Sequence, residues 1–116
     1  MTPAKRVVLI QNDAYLIETR KQILERQGYK VEAVHTVEEA RAICGEIACD
    51  LVIVDSEEDH LAALSLCDEI KAENPDVSVA VMTWDATEFE SDCPDAVIRR
   101  KKGPQELLDK VEAAIG

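Results

Sequence analysis

The 116-residue chain has few of the residues on which several common protein classes depend. It contains four glycines and four aromatic residues, and it has no G-x-G-x-x-G segment of the kind that binds dinucleotides. No apolar run approaches the roughly 20 residues that a membrane-spanning helix needs. The run Val7–Ile10 is also too short for the core of a signal peptide. We therefore expect a cytoplasmic protein that does not bind membranes.

The four cysteines do not form a known metal-binding or redox motif. They are separated by 4, 17 and 25 residues, without a C-x-x-C pair, at Cys44, Cys49, Cys67 and Cys93. This spacing disfavours zinc sites and thioredoxin-like chemistry, and it predicts separate small thiols in a reducing compartment. No Ser, Cys or His lies in an evident nucleophile–base arrangement either, which disfavours a hydrolase.

The negative charge of the chain is concentrated in one part of the sequence. The formal net charge is −11, and residues 50–95 contain fourteen acidic residues but only one basic residue, Lys71. The remaining residues carry ten acidic and twelve basic side chains. A negative field repels polyanions, so we expect neither nucleic acid nor an anionic membrane as a partner.

The composition is that of one folded domain. Leu, Ile, Val and Phe make up about 27% of the residues, above the roughly 20% below which a highly charged chain stays disordered. The length suits one domain rather than two. No internal repeat or interdomain linker is visible, so residues 1–116 are predicted to form a single unit.

Short apolar runs alternate with helical patterns along the chain. The runs predict strands at Val7–Ile10, Lys30–Val34, Leu51–Val54, Val77–Met82 and Ala96–Ile98. Helices are predicted over Tyr15–Gln27, from Thr36, from about Leu61 to Glu73, and from Pro104. Gly28 should end the first helix, and Thr36 with Glu39 forms a capping box for the second. Continuously apolar strands that alternate with helices predict a doubly wound α/β fold, a parallel sheet with helices on both faces.

Polar side chains follow four of the predicted strands. Asn12 and Asp13 follow the first strand, Asp55 ends the third, Thr83 ends the fourth, and the basic run 99–102 follows the fifth. The carboxyl ends of parallel strands form the usual site of such folds. Carboxylate oxygens without His or Cys favour Mg²⁺. A carboxylate beside Mg²⁺ can attack phosphorus, while a hydroxyl and a basic side chain bind the transferred oxygens.

This arrangement resembles the CheY-like receiver domain of two-component response regulators over essentially the whole chain. The resemblance implies a flavodoxin-like five-stranded sheet in the order 2-1-3-4-5. It also implies that Asp55 is the phosphoacceptor and that Thr83 and Arg100, or Lys101 if the alignment shifts by one, bind phosphoryl oxygens. The Mg²⁺ ligands that the resemblance implies are Asp13, Asp55, the backbone carbonyl of Glu57 and, through water, Asn12.

Several positions depart from the family pattern. Asn12 replaces one of two adjacent acids, which removes a negative charge from the expected metal site. Trp84 stands where the family has a small residue, and Val97 stands at its aromatic switch position. Only 16 residues separate Thr83 from Arg100, which predicts a shortened fourth helix over 85–93.

Two functions are compatible with these features. The first is a single-domain response regulator that accepts a phosphoryl group on Asp55 from a sensor histidine kinase or a phosphotransfer protein, and that acts on a downstream protein as a monomer or weak dimer. Such a domain is not an enzyme beyond self-catalysed phosphoryl transfer, and no output domain is expected. The alternative is a pseudo-receiver, which has the same fold and binds proteins without being phosphorylated.

Overall fold

A computed structural model describes residues 4–55, 60–83 and 93–115 of the chain. The strands are β1 (Arg6–Ile10), β2 (Lys30–Val34), β3 (Leu51–Asp55), β4 (Ser78–Thr83) and β5 (Ala96–Arg99). The α-helices of the described residues are α1 (Ala14–Arg26), α2 (Val37–Glu46), α3 (His60–Glu73) and α4 (Pro104–Ile115). A short 3₁₀ turn, Arg100–Lys102, joins β5 to the last helix.

The five strands form one parallel sheet in the order β2-β1-β3-β4-β5. The predicted fold class and strand order are therefore confirmed. Each element of this sheet follows the sequence prediction to within about one residue at its ends. The carboxyl ends of all five strands point to the same edge, where the polar residues of the sequence gather.

The sheet has a hydrophobic layer on each face. Alternate residues of a strand point to opposite faces, so Val7 and Leu9 pack on one side of β1 while Val8 and Ile10 pack on the other. Buried residues of α1 and α4 complete the first layer, and buried residues of α2 and α3 complete the second. Because both faces are covered, the strands are apolar at successive positions rather than at every second one.

Local signals in the sequence determine where α1 ends and where α2 begins. Gly28 has φ +94°, a left-handed conformation that L-residues with a side chain avoid, and it follows the end of α1. The Thr36 hydroxyl accepts a hydrogen bond from the backbone N–H of Glu39 at 3.2 Å, which caps the start of α2. Both predicted helix signals are confirmed.

The prediction of separate thiols is wrong for two of the four cysteines. Cys67 on α3 and Cys93, which precedes β5, form a disulfide with a Cα–Cα distance of 6.3 Å. The two residues lie 26 positions apart in sequence. They meet because the chain returns to α3 before it enters β5, and spacing along the sequence does not reveal this.

Three predictions concern segments outside the described residues. These are the metal ligand at the Glu57 carbonyl, the position of Trp84, and residues 85–92 of the shortened helix predicted over 85–93. Among the residues that the structure describes, no helix has both the length and the apolar character needed to cross a membrane.

Candidate functional site

The register of the sheet brings Gln11 beside Asp55. Ile10 is paired with Val54 between β1 and β3, so the next residue of each strand, Gln11 and Asp55, lies at the carboxyl edge. On the other side, Asp55 is paired with Met82 of β4, and Thr83 is buried one residue further on. This is the edge of the sheet at which the strand ends predicted a site.

Both carboxylate oxygens of Asp55 accept hydrogen bonds from protein side chains. Oδ1 accepts from Nη2 of Arg100 at 2.5 Å. Oδ2 accepts from Nη1 of Arg20 and from Nε2 of Gln11. The Asp55 side chain has no solvent-exposed surface, and those of Arg20 and Arg100 are only 11% and 14% exposed. We refer to Asp55, Gln11, Arg20 and Arg100 as the arginine cage.

Arg20 was not among the residues singled out from the sequence, although a signal for it exists. It lies on the buried face of α1, three residues after Ile17 and four before Leu24, both of which are buried. Residues at these spacings share one face of a helix. A charged residue within such an apolar face is rarely buried unless it is paired, so the stripe itself indicates that Arg20 needs an acidic partner.

Gln11 contributes an amide one residue before the Asn12–Asp13 pair to which the resemblance assigned the metal ligands. Its Oε1 accepts a hydrogen bond from the backbone N–H of Asp13 at 2.9 Å, which directs the amide nitrogen toward Asp55. A carboxylate at this position has no hydrogen to donate and would repel the Asp55 carboxylate. Gln11 therefore suits an ionised Asp55 that is held by donors.

Opposing effects act on the charge of Asp55. Burial raises the pKa of the Asp55 carboxyl group, whereas the Arg20 and Arg100 guanidinium groups and the Gln11 amide oppose that rise. Two positive charges against one negative charge leave the arginine cage formally positive by one. The ionised form of Asp55 thus depends on the two arginines, which take the place of solvent around the carboxylate.

The Asp13 side chain acts at the start of α1. Its Oδ1 accepts a hydrogen bond from the backbone N–H of Leu16 at 3.0 Å, and the residue is exposed. Asp13 is thus the N-cap of α1. Gln11, rather than Asp13, extends from the end of β1 to Asp55. The metal-binding role of Asp13 stays a prediction.

Replacing Asp13 by alanine should lower the free energy of unfolding by about 1 kcal/mol, because the Leu16 N–H loses its acceptor. Asp13→Ser, which can still cap the helix, should retain most of the stability. Urea denaturation in the presence of EDTA measures both variants. A loss of stability that appears only when Mg²⁺ is added would contradict the capping role and indicate metal binding.

The remaining predicted residues lie around the same edge. Asn12 is exposed in the turn between β1 and α1. Lys101 is exposed in the 3₁₀ turn, whereas the neighbouring Arg100 is the basic residue that contacts Asp55. Among the described residues, no group of three or more His, Cys, Asp or Glu side chains is placed to hold a metal ion.

Among the residues that the structure describes, the side chains that contact Asp55 do not fit a divalent cation. Mg²⁺ prefers oxygen ligands, and it usually keeps several waters in its shell. Here the carboxylate oxygens already accept from nitrogen donors. At an effective dielectric constant of about 20, a divalent cation about 4 Å from one guanidinium group is repelled by about 8 kcal/mol. Metal binding therefore requires at least Arg20 to leave the carboxylate.

Comparison with known proteins agrees with the fold. The family model for the response regulator receiver domain matches residues 7–111. A CheY-like receiver domain from Methanospirillum hungatei is 25% identical, with a TM-score of 0.84, and the alignment covers 97% of this chain and 94% of that one. Among curated protein sequences, none is significantly similar to this chain.

Two further solved structures contain the response regulator TrrA of Thermotoga maritima. One of them, in complex with Mg²⁺ and beryllofluoride, is 24% identical with a TM-score of 0.83, and the alignment covers 95% of this chain and 98% of that one. The other holds the histidine kinase ThkA together with TrrA. It gives 23% identity and a TM-score of 0.85, with 97% and 99% of the two chains covered.

Proposed function

The chain belongs to the response regulator receiver family of two-component signalling, and on that premise we propose that it is a pseudo-receiver, a module that binds a signalling protein without being phosphorylated. The observation that carries the proposal is the arginine cage, in which both Asp55 oxygens are already bonded to buried donors. The relevant partner class is a sensor histidine kinase, a phosphotransfer protein or a downstream target.

Phosphorylation of Asp55 is opposed first by access. A carboxylate that attacks phosphorus must bring one oxygen into line with the phosphoryl donor. The Asp55 side chain is fully buried, and its two oxygens are held by Arg20, Arg100 and Gln11. Hydrogen bonds to charged groups contribute roughly 1.5–3 kcal/mol each, so the release of one oxygen from the cage adds that cost to the reaction barrier.

Phosphorylation is opposed next by charge. Phosphoryl transfer to a carboxylate brings several negative charges together, and a divalent cation normally neutralises them. In this chain a guanidinium group from α1 contacts the carboxylate instead. Arg20 offsets the charge of the aspartate without any exchangeable ion, so Mg²⁺ is not needed to neutralise Asp55. A pocket whose charge does not change is consistent with a binding surface that keeps one conformation.

The second candidate is the phosphoacceptor function, and the position of Asp55 favours it. Asp55 ends β3, Thr83 is buried at the end of β4, and Arg100 contacts the Asp55 carboxylate. In this reading Thr83 and Arg100 bind the phosphoryl oxygens. Mg²⁺ is then held by Asp55, Asp13, the Glu57 carbonyl and, through water, Asn12. Arg20 must swing out of the cage before any of this can occur.

Beryllofluoride, a phosphoryl mimic, separates the two functions. We expect no change in the amide NMR signals of Asp55, Thr83 and Arg100 when Mg²⁺ and beryllofluoride are added to the native chain. Gln11→Asp/Arg20→Met supplies a carboxylate and removes a cation, so this variant should show such changes. Signals that shift in the native chain and stay unchanged in Asp55→Asn would contradict the pseudo-receiver and support phosphorylation.

A further inference from the structure

A second pair of cysteines lies at the edge of the sheet opposite the arginine cage. Cys44 is on α2, and Cys49 is in the loop two residues before β3 begins. Their sulfur atoms are 3.8 Å apart, and both thiols are reduced and half-buried. Formation of a disulfide would shorten this distance to about 2.05 Å. Only four residues of chain lie between the two positions, so they stay close while either side chain rotates.

The two thiols have different acidities. A hydrogen bond from Cys49 lowers the pKa of Cys44 to about 7, against burial and the negative charge of Glu73, which raise it. Conversely, the interaction with Cys44, burial and the charge of Asp50 raise the pKa of Cys49. At neutral pH Cys44 is thus substantially a thiolate, the form of cysteine that attacks disulfides. Exchange is fastest for a thiol whose pKa lies near the ambient pH.

A cleft gives small molecules access to this pair. It has a volume of about 360 Å³ and extends from Cys44 and Cys49 to the turn between α3 and β4. The residues that line it include the apolar Ile47 and Val77 and the acidic Glu73. A cleft of this size suits one small disulfide rather than a large partner surface.

We propose that Cys44 and Cys49 form a reactive dithiol that exchanges with low-molecular-weight disulfides. The Cys44 thiolate attacks one sulfur of the disulfide RSSR, which forms a mixed disulfide and releases RS⁻. The Cys49 thiol then gives its proton to RS⁻ and attacks the Cys44 sulfur, which releases the second RS⁻ and forms the Cys44–Cys49 disulfide. The second RS⁻ takes up the proton that Cys44 had lost. Overall, two protein thiols are oxidised and one RSSR is reduced to two RSH.

The domain thus contains one pair of cysteines joined by a disulfide and one pair of free thiols. Cys67 and Cys93 are already joined and have no thiol to react with an added disulfide, whereas Cys44 and Cys49 are free. The proposal does not depend on whether Asp55 is phosphorylated, because the two sites lie at opposite ends of β3.

Glutathione disulfide and peptide mapping test the proposal on the whole chain. After incubation near neutral pH, acid quenching and alkylation, trypsin cleaves after Arg41 and Lys71, and a glutamyl endopeptidase cleaves after Glu46. Cys44 and Cys49 then lie on separate peptides, which remain joined only if a disulfide links them. We expect the joined peptides together with two glutathione molecules released per chain.

Two single variants assign the roles of the cysteines. Cys49→Ser keeps the attacking thiol and loses the resolving one, so it should accumulate glutathione on Cys44. Cys44→Ser leaves only the less acidic thiol, so its reaction should be roughly tenfold slower. Alkylation of Cys44 by iodoacetamide should be half-maximal near pH 7 in the native chain, from its pKa of about 7, and at a higher pH in Cys49→Ser.

Three outcomes would overturn the proposal. They are separate glutathione adducts on both cysteines without a joined peptide, a Cys44→Ser variant that reacts as fast as the native chain, and no reaction of a native chain whose circular dichroism shows that it is folded. The circular dichroism of each serine variant provides the matching check on folding.

Discussion

Replacing Asp55 by asparagine should lower the free energy of unfolding by about 3–5 kcal/mol, the usual cost of removing one partner from a buried ion pair. The substitution keeps the shape of the side chain but removes the charge that Arg20 and Arg100 share. Two buried guanidinium groups then lose the carboxylate that they share. Urea denaturation followed by circular dichroism measures the loss.

Two further variants check the reason for this effect. Glu69→Gln removes the acidic partner of Arg41 in an ion pair whose side chains are 49% and 46% exposed, so it should cost no more than about 1 kcal/mol. The triple variant Asp55→Met/Arg20→Met/Arg100→Met should recover much of the lost stability, because apolar side chains of similar size can replace a buried ionic cluster. An Asp55→Asn chain as stable as the native one would contradict the arginine cage.

Reducing the Cys67–Cys93 disulfide should lower the free energy of unfolding by about 3.5 kcal/mol. This value follows from the loop-closure entropy of a loop with a sequence separation of 26 residues. The disulfide joins α3 to the segment before β5, so without it the unfolded chain gains many more conformations. Urea denaturation with and without a phosphine reductant measures the difference.

The Cys44→Ser/Cys49→Ser background makes that measurement specific, because there the reductant can act only on Cys67 and Cys93. The same variant without reductant provides the matched reference. Equal unfolding midpoints with and without reductant would show that the disulfide contributes nothing to stability, and would contradict the prediction.

The arginine cage changes how this receiver domain can work. A pocket of acidic residues binds a metal ion reversibly, so the net charge of the pocket depends on whether the ion is bound. In this chain the cation is a side chain of α1, and its position depends on packing beside Ile17 and Leu24. Arg20 therefore connects α1 to β3 through the Asp55 carboxylate. This connection supports the proposed pseudo-receiver, a domain whose binding surface stays in one state.

Much of the architecture can be predicted from the sequence because its causes are local. The apolar run from Leu51 to Val54 and the alternation of such runs with helical stripes predict a covered parallel sheet. The cap at Thr36 and the left-handed Gly28 predict helix ends from neighbouring residues alone. Asp55 at the sheet edge follows from the same reasoning, since a polar residue that ends a strand lies at the edge of the sheet.

The partners of Asp55 were decided by the tertiary structure. Gln11, Arg20 and Arg100 lie 44, 35 and 45 positions away from it along the chain. Contacts over such separations depend on strand register and on how α1 packs against the sheet, and neither is encoded in any short segment. The Cys67–Cys93 disulfide has the same origin. Sequence patterns predicted where the acidic group lies, and only the packed fold determined that two arginines contact it.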